Sequence, residues 1–543
     1  MVPMCLPREA EGKEALMTDA TGAEQPSEVL ERASAAIRRP WLLLLAALVL
    51  GFVCEALLHG QPPGLGYAVA AAMAILIWTS VGLAMGIRPS ASGLALLLLI
   101  LFFSAMVAVR ASPALQALNV LTGASLALLM AAVYVYGGIS GWSLTDDAIG
   151  LFTSGLALLV QPFILIFGDL PRARRSSARK GNAAPFLLGL ILALPLLLVF
   201  GVLFTSADAV FAGIVRQMFS WLTDFPQLMA RLIFSLALAW MALGLARRAF
   251  TASPRPFSLD DLISLDFMRL GAAPSIVVLA LVDALFLSFV AVQAVYLFGG
   301  ADTLLRTGMT YSEYARRGFF ELVAVATLVL GLVLLLDWLT RFVNPNAGLA
   351  IGLLHGLLIC LTLVILASAL FRMRLYQSEF GLTALRFYTT AFMAWLAAVL
   401  ILAAVTVLPR HPQNGIGRRR FAFGALVAVL ALVAFLDLAN PDAWIARVNL
   451  DRSASRVGQP LDAAYLTGSL SVDAVPAILA RLPTVPDSAL RTQLACGLRS
   501  EAKLLEAEAP RLTWRGTNFG VTSARAGLVA ALPQLERATC PVQ

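Results

Sequence analysis

Three ionisable side chains stand at the mouth of an apolar run. Arg316 and Arg317 are adjacent, and Glu321 follows one helical turn later in YSEYARRGFFELVAVATLVLGLVLLLDW (311–338). Then 15 uncharged residues lead to Asp337. On a helix, Tyr314, Arg317 and Glu321 share one face, and Arg317 and Glu321 are spaced to pair. Arg before Glu is the weaker order, and arginines at a helix start oppose its positive end. Helix stability therefore gives no reason for these arginines. Two guanidinium groups can grip a carboxylate from another helix, a lipid headgroup or a substrate anion. The plainer reading is an internal salt bridge that fixes helix packing.

Other ionisable residues sit where they are costly. Asp283 falls in the middle of SIVVLALVDALFLSFVAVQAVYLF, with Gln293 ten residues on and close to the same helical face. A carboxylate at a bilayer centre costs roughly 2.5–3.5 kcal/mol on insertion scales, and such residues face a bundle interior or a wet cavity. Asp208 ends one apolar run and Arg231 begins the next, while Glu55 closes the first. Arg372, Arg374, Glu379 and Arg386 bracket the loop FRMRLYQSEFGLTALRFY. His59, His355 and His411 are far apart, no Cys-x-x-Cys occurs, and no phosphate-loop, dinucleotide or nucleophile-elbow motif is found. No metal site and no cofactor is expected.

The elements that must position these groups are membrane helices. Of 543 residues 59% are hydrophobic and 13% charged, against about 25% charged in soluble domains. The partner implied is a lipid bilayer. The net charge of +8 does not indicate nucleic acid, because most Arg and Lys lie in short loops beside apolar runs. The expected fold class is all-α: a polytopic transmembrane helix bundle of 11–12 spans over 41–438. A polar, disordered segment precedes it (1–40), and a small helical extramembrane domain follows (439–543).

Twelve apolar runs are long enough to consider: 41–58, 65–86, 94–109, 114–136, 149–168, 185–205, 228–246, 274–298, 319–339, 348–370, 389–408 and 421–438. The basic loop PRARRSSARKGN (171–182) marks the cytoplasmic side. Alternation from there puts the Asp208, Arg316 and Glu379 loops outside, with the C-terminal domain over them. Several charges of both signs would then gather beneath a helical cap. Five full spans before 171–182 would put the N-terminus outside, yet Arg32, Arg38 and Arg39 favour the inside. Two readings stay open: the short 94–109 run, or the 149–168 run interrupted by Gln161-Pro162, does not cross.

The last 105 residues carry many charges. Asn440-Pro441 reads as an N-cap and first-turn proline, and Trp444 suits a membrane interface. Leu490, Leu494 and Leu498 line one side of a helix. If this domain lies outside, Cys496 and Cys540 meet an oxidising compartment and could form a disulfide; the alternative is two unpaired thiols.

Four segments in order, LPLLLVFGVLFTSADAVF, YARRGFFELVAVA, EFGLTALRFYTTAFMAWLA and NPDAWIARVNLDR, resemble a family of bacterial polytopic inner-membrane proteins catalogued as a domain of unknown function. The resemblance runs from about residue 185 to about 450, with a weaker echo in the tail. It implies a multi-pass protein of a bacterial inner membrane, and it brings no catalytic or binding residues; the extracytoplasmic C-terminus is expected from the loop charges alone. It places Asp208, Arg316, Arg317, Glu321 and Arg386 within the motif-bearing segments.

Three functions compete. Transport or handling of an envelope component would use Asp283, the Gln161-Pro162 break and a vestibule of mixed charge, although no internal repeat is evident. A membrane-embedded enzyme acting on lipid or glycan at the outer leaflet would use the arginines as an anion clamp and Asp208 or Glu321 as base. A structural or signalling subunit needs only salt bridges, with partners reached through the C-terminal domain.

Overall fold

The fold is that of a computed structural model. It describes residues 37, 39–135, 137, 138, 141–176, 193, 196, 197, 200, 201, 203–218, 225–251, 271–298, 319–340, 345–408, 416–455 and 461–540. Nearly all of these residues are helical. The long helices are α1 (Pro40–Leu58), α2 (Leu65–Ala84), α3 (Ala91–Val109), α4 (Pro113–Val133) and α5 (Leu144–Ile164). A π-helical turn, Leu165–Asp169, joins α5 to α6 (Leu170–Ser176). Then come α7 (Ala209–Met218), α8 (Phe225–Thr251), α9 (Ala272–Phe298), α10 (Phe319–Leu339), α11 (Pro345–Phe380), α12 (Ala384–Val407) and α13 (Ile416–Ala439). The tail holds α14 (Pro441–Ser455), α15 (Ala463–Gly468), α16 (Val475–Arg481), α17 (Ser488–Glu508) and α18 (Phe519–Leu535). Among the described residues, eleven helices are long and apolar enough to cross a membrane. The 185–205 run and the 1–40 segment lie mostly outside the described residues, as do Tyr314, Arg316 and Arg317.

Local chemistry sets the helix ends. Ser90 accepts from the Gly93 N–H at 3.0 Å, a side-chain cap on α3. Ser143 and Asp146 form a reciprocal capping box at α5. Pro40, Pro113 and Pro441 open their helices, where a missing N–H costs nothing. Asn440 sits at φ +50° between α13 and α14, and its Oδ1 accepts from Ala443 N–H, so the chain turns sharply out of the bundle there.

The interior falls into three parts. Helices α1–α5 and α8 pack together around Leu43, Phe103, Leu129 and Leu165. Helices α9–α12 pack around Leu279, Leu358, Leu366 and Leu396. The tail closes its own core on Leu466, Ile478, Leu494, Leu498 and Leu528. Helix α13 joins the first two, giving Val433 to one core and Phe421 to the other.

The turns after α1, α3 and α11 and the end of α13 all touch the tail, so these share a tail-side end. The far end is fixed by Tyr134, whose carbonyl accepts from Ser90 N–H at 2.7 Å and whose ring lies 5.6 Å from Phe250. Arg247, one turn before Phe250, bonds Asp169 just after α5. The chain from 134 to 169 therefore leaves and regains the far end, with all of α5 in between. Of the two runs left open by the sequence, 149–168 is the one that lies in a segment, 134–169, making no net crossing. The 94–109 run lengthens into the 19-residue α3, which joins the far end to the tail side. Ile37 and Arg39 then stand at the far end, together with the start of the basic 171–182 loop.

Candidate functional site

Helix α9 presents one polar-studded stripe to its neighbours: Ser275, Leu279, Asp283, Phe286, Val290 and Gln293, at spacings of three and four. Its main partner is α11. At the far end the Ser275 hydroxyl lies 2.9 Å from the hydroxyl of Thr340, just after α10. Towards the tail side, Ser368 of α11 donates to Gln293 at 2.7 Å. Buried His355, Thr362 and Arg372 extend the polar line along α11. Asp283 lies between the two hydrogen-bonded rungs and is only 4% exposed. Neither of its carboxylate oxygens has a hydrogen-bond partner among the described residues. Buried polar groups are nearly always partnered, so this orphan is the feature that asks for a functional cause.

Of the charges expected to gather at one rim, those among the described residues each serve their own neighbourhood. Arg231 grips Glu55 with two bonds, Nε to Oε1 at 2.6 Å and Nη2 to Oε2 at 3.2 Å. The Arg hydrogen bond holds the Glu55 carboxylate, which is itself buried at the end of α1. Asp208 is exposed and caps α7, accepting from Val210 and Phe211 N–H at 2.7 and 2.9 Å. Arg386 lies 4.1 Å over the Tyr376 ring and donates to the Phe380 and Gly381 carbonyls, closing the α11–α12 turn. The Glu379 side chain is exposed, and its carbonyl accepts from Arg452 at 2.9 Å. Glu321 is exposed in the first turn of α10, where an acid suits the helix dipole. Its expected partner Arg317 lies outside the described residues.

Two polar groupings went unread in the sequence. At the far end, Arg247 donates to Asp169 at 2.8 Å and also to Gln161, with both charged side chains at 3% exposure or less. The π-helical turn after Pro162 aims Asp169 at α8, as such turns often do at special positions. The signal was the pairing of two run-end charges, Asp169 and Arg247, with the already noted Gln161-Pro162 break. At the tail-side end, Asp473 reaches from the tail to the start of α4 and accepts from Ala111 and Ser112 N–H at 2.8 and 3.2 Å. Burial pushes the Asp473 carboxyl above the ordinary aspartate range, and the two backbone donors pull the other way. Beside it, Asn119 donates to Asp437 at 2.8 Å. No spacing links these residues in the sequence, because the contacts run across more than 300 positions.

Cys496 of α17 and Cys540 are joined as a disulfide, with Cα atoms 5.7 Å apart. No group of three or more His, Cys, Asp or Glu residues able to hold a metal ion occurs among the described residues.

A family model described as "Domain of unknown function (DUF4153)" matches residues 97–480. No curated protein and no solved structure matches the chain.

Proposed function

The chain belongs to the DUF4153 family, and for this multi-pass membrane protein we propose proton-coupled transport, moving or handling a component of the cell envelope. Asp283 carries the reading. A carboxyl in the apolar middle of α9, buried and without a described partner, is held there by a proton that it can take up and release. The polar rungs above and below it, Ser275–Thr340 and Gln293–Ser368, mark a line along which such exchange would run. We place the tail outside a bacterial inner membrane and the 171–182 loop in the cytoplasm, following the distribution of arginines.

The enzyme reading leaned on Arg316 and Arg317, which lie outside the described residues, and on Asp208, which caps its own helix. A role as a membrane subunit without catalysis draws support from the many ties between tail and bundle, and it needs no exchange at Asp283.

Proteoliposomes carrying an imposed pH gradient and an internal pH-sensitive dye separate the two. Transport predicts that the purified chain dissipates the gradient and that Asp283→Asn does not, at equal incorporation. Equal rates from both proteins would remove the proposal.

A further inference from the structure

The tail grips both halves of the bundle at one end. One arm holds the N-terminal half. Thr513 donates through N–H and hydroxyl to Gln61 at 2.9 and 3.0 Å, and Arg515 donates to the Ala56 carbonyl. The Leu65 N–H donates to the Thr517 carbonyl at 2.8 Å. Asn518 donates to the carbonyls of Val107 and Arg110 at 3.1 and 2.9 Å. Gly64 lies under this arm so closely that a Cβ there would stand 2.6 Å from the Thr517 carbonyl.

A second arm holds the C-terminal half at the α11–α12 turn. Asn449 exchanges two hydrogen bonds with the Leu382 backbone, each 2.7 Å. Arg452 donates to the carbonyls of Ser378 and Glu379, and Tyr465 accepts from Ala384 N–H at 2.8 Å. Gly381, at φ +76°, lets the turn pass beneath Asn449 and Arg452. The arms are parts of one packed core, and the Cys496–Cys540 bond ties the segment after α18 back onto α17. Helix α17 in turn rests on α15, with Gly497 against Thr467.

Among the described residues the connection within the membrane is narrower. Helix α13 shares the cores of both halves and runs through Asn440 straight into the tail. Arg110 and Asn119 bind its end through Asp437 and Leu438.

We propose that α13 is a hinge and the tail a strap, which holds the two half-bundles together at the tail-side end and whose release lets them part there. Two bodies joined by one shared helix can rock about it, and ties at a single end bias which end opens. Closure is set by directional hydrogen bonds to three turns, so each arm can be cut without touching the membrane core. The strap does not depend on the transport reading.

Pulsed electron–electron resonance on the full chain in nanodiscs tests it. Cys5, Cys54 and Cys360 are replaced by Ala, the disulfide is kept, and spin labels are carried at His59→Cys and Glu379→Cys. A second pair at Arg88→Cys and Asn346→Cys, one on each half, reports the far end. Cutting one arm with Asn449→Ala, or the other with Gln61→Ala/Arg515→Ala, should lengthen or broaden the tail-side distance by about 5 Å or more. The far-end distance should change less. Since the two cuts lie on different elements, failure of one variant to fold leaves the other to decide. An unchanged tail-side distribution in a folded variant, or equal changes at both ends, would overturn the strap.

Discussion

Asn449 replaces a strand partner for Leu382: its Oδ1 accepts from the Leu382 N–H and its Nδ2 donates to the Leu382 carbonyl, both at 2.7 Å. Both backbone groups are thereby satisfied inside the protein, 67 positions from the residue that satisfies them. Truncation to Ala would strand a donor and an acceptor at once. Each orphaned buried group costs about 1–3 kcal/mol. Asn449→Ala should therefore lower stability by about 2–4 kcal/mol in denaturant unfolding of the detergent-solubilised protein. Asn449→Asp keeps the acceptor alone and should fall between the two.

Arg247 and Asp169 form a pair with almost no exposed surface. Removing one partner leaves the other charge buried, which costs about 3–5 kcal/mol for such pairs. Arg247→Met alone should be more damaging than Arg247→Met combined with Asp169→Leu, since the double change also removes the orphaned charge. Thermal unfolding of the three proteins checks the order. A double variant no better than the single one would show that the π-helical turn needs the pair for its geometry.

Asp473 tests the junction between tail and α4 through pH. Its folded carboxyl is pushed above the ordinary range, so ionisation is disfavoured in the fold. The neutral form is favoured below the unfolded value. That advantage is lost as pH rises through the raised folded value. Asp473→Asn keeps an acceptor for the Ala111 and Ser112 N–H groups without the charge. It should match or exceed the parent at neutral pH, and the difference should vanish on acidification. Asp473→Ala should be less stable at every pH, by about 1–2 kcal/mol for the lost cap. Unfolding midpoints measured between acid and neutral pH read both effects.

The disulfide encloses a sequence separation of 44 residues. In the chain-entropy account a loop of that size is worth about 4 kcal/mol, a figure that native strain or residual structure reduces. Cys496→Ser/Cys540→Ser should lower the tail's unfolding transition while leaving the apolar bundle folded. Circular dichroism melts with and without a dithiol reductant measure it. Loss of the whole fold in one step would mean that tail and bundle are a single cooperative unit.

Much of this architecture was legible because lipid imposes a simple rule: runs of about 20 apolar residues must form helices. The all-α bundle, the helical tail and the Asn440-Pro441 exit all follow from that rule and from capping chemistry. Asp283 stood out for the same reason, as a charge in a run that tolerates few. Sidedness was harder, because α5 is as apolar as its neighbours yet belongs to a segment, 134–169, that begins and ends at one side; only the contacts of Tyr134 and Asp169 decide that. The noted charges were legible as residues and illegible in their roles. Asp208 and Arg386 answer backbone groups a few residues away, whereas Arg231 answers Glu55 across 176 positions. Long-range pairing has no periodicity, so no pattern in the chain announces it.

The account turns on whether Asp283 exchanges a proton. Infrared difference spectra of the purified protein, recorded between alkaline and acid pH, read this carboxyl directly once the spectrum of Asp283→Asn is subtracted. A remaining carboxyl C=O band that grows on acidification, shifts in deuterated buffer and reverses on return to alkaline pH is the predicted result. Superimposable spectra from parent and variant across the whole pH range would contradict it and leave Asp283 as a packing residue.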